Sequence, residues 1–272
     1  MALLPIQQYF SINGKIEPVE VFIPSENEGG IYEVIRVVDG IPLFFEEHLE
    51  RFYKSAQLAG KTIVYTQKQI HGFLNELIEK NQVTKGNVLI SCKINLKIFF
   101  ISHSYPKTEQ YQNGVVCGIL HAERDNPNAK VFQTSVRAAA NKMIDNEAFY
   151  EILLVNNEQL ITEGSRSNVF FIQGDYLLTP TTEKVLPGIT REKVLICSKA
   201  LQLSVKQTDI NLSELATFDA VFLTGTSPKV LPVREISGFN FSVDNKILIT
   251  LKSAYDDMIS DYLQKIKKTN PK

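Results

Sequence analysis

The spacing of apolar residues changes period several times along the chain. Over residues 31–38 apolar and polar positions alternate as on a half-buried strand, and Asp39-Gly40 supplies a tight turn after it. From Glu46 the period lengthens: Leu49, Phe52, Tyr53 and Ala56 recur at helical spacing, and Ile70, Phe73, Leu74, Leu77 and Ile78 mark one face of a second helix. Residues 87–94 and 97–102 read as two strands joined around Asn95. After Ser104-Tyr105-Pro106 the pattern restarts with a strand at 115–120, and the polar stretch HAERDNPNA then predicts an exposed connection. Residues 135–146 carry helical spacing through Val136, Ala139, Ala140 and Met143. Strands follow at 150–155 and 168–172, with Asn156-Asn157 marking the turn between them. Pro187-Gly188 opens a helix running to about Leu201, residues 220–223 form a strand, and Leu251, Tyr255, Met258 and Tyr262 line a final amphipathic helix.

Strands and helices are mixed in both halves, so the fold class is α+β or irregular α/β, with a domain boundary near Pro106 separating 1–106 from 107–272. The 272 residues suit about two domains of ordinary size. Charge is balanced, 29 Lys+Arg against 30 Asp+Glu, which gives no general reason to expect nucleic acid or a membrane surface as partner. No apolar run approaches the ~18 residues of a spanning helix, and the start MALLPIQQYF lacks the basic region and cleavage site of a secretory signal, so the expected location is the cytoplasm. Cys92, Cys117 and Cys197 are far apart in apolar contexts and read as buried thiols, and the four histidines show no metal-ligand spacing. Only the last residues, KKTNPK, read as a frayed tail.

Hydrolase elbows, nucleotide loops, dinucleotide fingerprints and zinc motifs are all missing. What remains is three short polar segments at strand ends: TEGSRSN at 162–168, LPGITR at 186–191 and TGTS at 224–227. Gly188-Ile189-Thr190 stands where a helix begins, either as an ordinary start after Pro-Gly or as a phosphate site built from first-turn amides and a hydroxyl. Gly225-Thr226-Ser227 has the same double meaning, a turn or a small nest of donors. Arg51 is either a charge on a solvated helix face or a phosphate ligand. Glu163, between apolar segments, needs a cationic or hydrogen-bonding partner if it is buried, and a protonated ring nitrogen would serve. Lys130 ends the polar connection just before Val131 and Phe132, where a half-buried amine would be lowered from its usual ~10.4 toward the range of a covalent nucleophile, but among 29 basic residues that setting alone selects none.

In order, GGIYEVIRVVDGIPLFFEEHLERFYKSA, ITEGSRSNVFFI, VLPGITR and TGTSPKVLPVREISG resemble the fold type IV pyridoxal-phosphate enzymes, the family of branched-chain and D-amino acid aminotransferases and aminodeoxychorismate lyase, over nearly the whole chain. The resemblance implies a two-domain, D-amino acid aminotransferase-like fold and pyridoxal 5'-phosphate as cofactor. Lys130 matches the lysine that carries the cofactor, and Glu163 the acid that pairs with its ring nitrogen. Arg51, Gly188, Ile189, Thr190 and Thr226 match the phosphate site, Leu186 the apolar side chain on the ring face, and Tyr32 an aromatic hydroxyl of the substrate pocket. The implied partners are amino acid and 2-oxo acid substrates and, as is typical of the family, a second copy of the chain in a homodimer.

The sequence departs from the family where substrate carboxylate is held. SCKINLKIFFISHSYPK contains no Arg and no Gly, so the usual carboxylate loop is absent or rebuilt. Arg166, Lys93, Lys97, His103 and Ser227 are the candidate replacements, with Arg166 preferred, and each has a structural alternative as a strand, surface or rim residue. Tyr32-Glu33-Val34 stands where the family has Phe-Glu-Thr, and the lost hydroxyl argues mildly against a lyase pocket. An aminotransferase for a branched-chain or D-amino acid is therefore expected first and aminodeoxychorismate lyase second. A scaffold retained only for binding comes third.

Overall fold

A computed structural model describes residues 3–24, 30–132 and 134–269. Gly29 of the GGIYEV segment and residues 270–272 of the expected tail lie outside them. The chain divides into two compact units: Met1–Ser104 with Ala129–Phe132 and Ile259–Lys272, and Tyr105–Asn128 with Gln133–Met258.

The first unit contains β1 (Tyr9–Ile12), β2 (Lys15–Pro18), β3 (Ile31–Val38), β4 (Ile41–Pro42), α1 (Phe45–Leu58), α2 (Gln67–Asn81), β5 (Lys85–Cys92) and β6 (Leu96–Ile101). The strands form one sheet in the order β2-β1-β6-β5-β3-β4, antiparallel throughout. Alternation sends Ile31, Ile35, Val37, Val88, Ile90, Ile98 and Phe100 to one face, where Phe45, Leu49 and Phe52 of α1 and Ile70, Leu74 and Leu77 of α2 cover them. Asp39 and Gly40 both take positive φ, as the two-residue turn between β3 and β4 requires. A capping box starts α2: Thr66 Oγ1 accepts from Gln69 N–H, and Gln69 Oε1 accepts from Thr66 N–H.

Two segments beyond the expected boundary group with this unit. Val131 forms an antiparallel bridge with Ile31, and Tyr262 accepts from Phe45 N–H while its ring packs on Phe44. The tail expectation is corrected as well. Lys267 and Lys268 are helical, and Lys267 pairs with Asp39 at 2.7 Å.

In the second unit come α3 (Thr108–Asn113), β7 (Val115–His121), α4 (Thr134–Glu147), β8 (Glu151–Val155), β9 (Ile161–Gly164), β10 (Asn168–Gln173), β11 (Tyr176–Thr179), α5 (Ile189–Ala200), β12 (Ser204–Gln207), β13 (Ala220–Gly225), β14 (Lys229–Ile236), β15 (Phe239–Asn240) and the start of α6 (Lys246–Thr269). Its sheet runs β12-β11-β10-β13-β14-β7-β8-β9, with β15 beside β14. The pairs β14-β7, β7-β8 and β11-β12 are parallel, and the first two sit in its middle. Periodicity overlooked β11 and β12, which are four-residue strands, and also β14, where Pro232 interrupts the apolar run. The connection after β7 is more buried than its polarity suggests: Asn128 Nδ2 donates to Thr182 O and Val185 O, each at 2.7 Å.

Gly118 in β7 faces Phe149 and Ile152 so closely that an added Cβ would stand 2.7 Å from the Phe149 ring. Gly118→Ala is expected to destabilise the chain by about 1–3 kcal/mol through overpacking, read as a lower urea midpoint with an unchanged slope.

Candidate active site

In the first unit one face of α1 carries His48, Arg51 and Ser55, spaced three and four residues apart and all buried. Opposite them Glu33 enters from β3. Arg51 Nε donates to Glu33 Oε1 and Nη2 to Oε2, both at 2.7 Å, and His48 Nδ1 lies 2.8 Å from Oε2. Arg51 is thus not a charge on a solvated face: it is buried and held by a bidentate carboxylate. Burial opposes ionisation of Glu33, but the charge and hydrogen bonds of Arg51, with the His48 contact, hold the carboxyl down at about 2. Burial also lowers His48 below 6.5, leaving a neutral ring that donates from Nδ1.

Ser55 reaches the segment that carries Lys130: its Oγ accepts from Lys130 N–H at 3.0 Å. The Lys130 carbonyl accepts from Tyr32 N–H at 3.1 Å, and Phe132 N–H donates to Gly30 O. The Phe132 ring stacks on Tyr32 at 4.0 Å, and Lys130 Nζ stands 4.7 Å from the centre of the same Tyr32 ring. The half-buried amine of Lys130 is therefore fixed through its own backbone and over an aromatic face. Lys97, a candidate for the carboxylate, is buried on β6, donates to Ile23 O at 2.8 Å and lies over the Phe22 ring, which makes it a tether for that segment. Lys93 is exposed in the hairpin, and His103 Nδ1 lies 3.4 Å from Ile101 O.

The second unit brings the three polar segments together around one residue that sequence reasoning did not single out, Asn168 at the start of β10. Its Nδ2 donates to Leu186 O at 2.9 Å and to Glu163 Oε2 at 3.3 Å, while its backbone pairs with Thr224 in β13. Glu163 is buried, and Oε2 also accepts from Leu186 N–H at 3.1 Å. Arg124 Nε lies 3.3 Å from Oε1. Gly188 caps α5, and a Cβ there would stand 2.0 Å from Asn168 Oδ1, so only glycine admits this approach. The first-turn amides of Ile189 and Thr190 have no intrahelical acceptor, and the buried Thr190 hydroxyl lies 3.4 Å from Tyr255 OH. Thr226 and Ser227 form the turn from β13 to β14 with Gly225, whose added Cβ would lie 3.7 Å from Arg166 O.

A second buried carboxylate shapes the same loop. Glu151 accepts from Ser165 Oγ and Ile152 N–H at Oε1, and from Ser167 Oγ and Arg166 N–H at Oε2. The exposed Arg166 side chain donates from Nη2 to Asn141 on α4. Arg191 is fully buried and donates to Pro180 O, Gln207 and Glu192. It fastens the loop before α5.

The acid response of the first unit follows from these partners. Glu33 has a folded value of about 2 against 4.5 when unfolded, so its contribution, on the order of 3 kcal/mol, is complete above 4.5 and is lost as pH falls toward 2. His48 binds its proton more readily unfolded, so stability already declines as pH falls below 6.5. His48→Gln, which cannot titrate, is expected to flatten that upper part of the decline, checked by urea unfolding across pH.

Residues 30–236, about three-quarters of the chain, match the family model described as amino-transferase class IV. A probable branched-chain-amino-acid aminotransferase of Rickettsia bellii is 26% identical over 279 residues, covering 92% of this chain and 96% of that protein. The D-alanine aminotransferase of Bacillus licheniformis is 29% identical over 250 residues, with 83% and 87% covered. Among solved structures, a branched-chain aminotransferase from Thermoproteus uzoniensis with norvaline superposes with a TM-score of 0.85 at 20% identity, covering 96% of this chain and 98% of that one. A putative 4-amino-4-deoxychorismate lyase from Legionella pneumophila gives 0.77 at 22% identity, with 88% and 97% covered. At these identities the structural likeness establishes the fold. The family match establishes more: the chain belongs to the class IV aminotransferases, enzymes that use pyridoxal 5'-phosphate.

Proposed function

We propose that this enzyme transfers the amino group of a branched-chain or D-amino acid to a 2-oxo acid, with Lys130 as the catalytic residue. The observation that carries the reading is the convergence on Asn168 of a buried acid, Glu163, and a glycine-only helix start at Gly188. That donor and acceptor set fits the cofactor: a carboxylate for a protonated ring nitrogen, and first-turn amides with a buried hydroxyl for a phosphate.

Glu163 would hold the ring nitrogen through Oε1. Ile189, Thr190 and Thr226, with Arg51 oriented by Glu33, would hold the phosphate, and Leu186 would pack on the ring. When bound, pyridoxal phosphate supplies a sink for the electron pair left at the substrate's α carbon. Lys130 Nζ would hold the cofactor at rest, and its free amine would take the α proton and later return it. Tyr32 and Ser227 line the substrate side in this reading. The named activities of the Rickettsia bellii and Bacillus licheniformis relatives support amino-group transfer. The Legionella pneumophila neighbour supports the lyase alternative, in which the same lysine and sink expel pyruvate.

A second copy of the chain is proposed as partner, supported by exposed Leu4, Ile6, Val21 and Ile23 in the first unit. A cytoplasmic setting is supported by three free cysteines and by the absence, among the described residues, of a helix long and apolar enough to cross a membrane.

Visible absorption of the cofactor-loaded protein, before and after mixing with L- and D-amino acids, tests the reading. Loss of the bound-cofactor band with one class, and amino transfer to a 2-oxo acid, is the expected result. Pyruvate release without an amino acceptor would favour the lyase. Borohydride should fix the cofactor on Lys130, and Lys130→Ala should lose turnover by at least about 10³-fold while still binding cofactor. Full turnover by that variant would remove the assignment. Glu163→Gln is expected to slow α-proton removal by about 10²-fold in single-turnover kinetics without loss of fold.

A further inference from the structure

We infer that Arg124 decides where the proton rests between Glu163 and the ring nitrogen, acting as a positioning charge through Glu163; the inference rests on the role proposed for that acid. Arg124 leaves the polar connection after β7 and turns inward. Its Nη2 donates to Ser165 O at 2.9 Å, while Nε stands 3.3 Å from Glu163 Oε1. One guanidinium thus spans the loop that carries the acid. The donors on the other oxygen, Asn168 Nδ2 and Leu186 N–H, are neutral dipoles. Two other cations stand in the neighbourhood. Arg191 feels the charge of Glu163 but gives Nη1 and Nη2 to Glu192, Pro180 and Gln207, and Lys184 pairs with Glu158 and Asp209. A cleft of about 350 Å³, with Arg124, Thr162 and Glu163 on its walls, lies against the pair.

A proton shared by a carboxylate and a ring nitrogen has two resting places. On oxygen it leaves a neutral pair. On nitrogen it leaves a carboxylate beside Arg124 and a cation one hydrogen bond farther off. Coulomb energy falls with distance, so the nearer carboxylate dominates and Arg124 favours the proton on nitrogen. Without that charge, burial raises the proton affinity of the acid and the proton moves toward Glu163. A hydrogen bond to Ser165 O alone would not produce this bias, because a neutral donor could replace it.

The experiment loads wild type, Arg124→Gln, Arg124→Lys and Glu163→Gln with pyridoxal 5'-phosphate carrying nitrogen-15 in the ring, and follows the ring-nitrogen chemical shift with pH. Arg124→Gln is expected to lower the ratio of protonated to unprotonated ring by about tenfold, the effect of roughly one pK unit for loss of an opposite charge at this range. Arg124→Lys, which keeps the charge, should recover most of the wild-type ratio. It should lose it again as pH passes the introduced amine's ionisation near about 10.4, which keeps the test available if the Gln variant does not fold. An unchanged shift in Arg124→Gln, or Lys and Gln variants that behave alike at neutral pH, would overturn the inference. If Glu163→Gln also leaves the shift unmoved, the role of Glu163 falls with it. If Glu163→Gln alone moves it, that role stands and only Arg124 is misassigned.

Discussion

Taking a carboxylate out of water costs several kcal/mol unless donors replace the water, and this constraint shapes the chain at three places. Glu33, Glu151 and Glu163 are each at most 3% exposed. Each takes donors from beyond its own strand, so satisfying the acid also fixes the backbone around it. Around Glu33 that backbone is the face of α1 bearing Arg51 and Ser55, and around Glu151 and Glu163 it is the loop at the start of β10.

The three solutions differ in kind. Glu33 is met by a full opposite charge in fork geometry, with a neutral imidazole on the same oxygen as one arm of the fork. Glu151 is met by two hydroxyls and two amides, a dipolar cage that pins Ser165 and Ser167 on either side of Arg166. Glu163 combines both, dipoles on one oxygen and Arg124 near the other. The first two arrangements suit structural acids. The third sets a charge near one oxygen and dipoles on the other, an arrangement that suits the role proposed for Glu163.

The likeness to aminotransferases and to a lyase with the same fold separates scaffold from substrate. Identities of 20–22% in the solved structures are compatible with a shared fold and say little of what enters the pocket. Substrate choice rests on residues that differ. On the β5-β6 hairpin of this chain Lys97 donates to Ile23 O and Lys93 faces solvent. Arg166 donates to Asn141.

Local pattern determined the long elements. β3, α1, α2, α4, α5 and α6 follow directly from apolar spacing and from turn residues such as Asp39-Gly40, because each buries one face against a core and leaves the other polar. The family was legible too, since Glu163, Gly188 and Thr226 lie in short motifs whose order resembles it, and the family match bears that out. Short strands such as β11 and β12 left no periodic trace, because four residues are held by their neighbours in the sheet rather than by their own pattern. Partner choice was equally hidden. Nothing in the spacing of Glu33 and Arg51, Arg124 and Glu163, or Ser55 and Lys130 signals that they meet, for a buried charge selects its partner by three-dimensional proximity. The sequence by itself determined which residues could carry the chemistry. Tertiary structure decided which charges are balanced, by whom, and so which stay available for it.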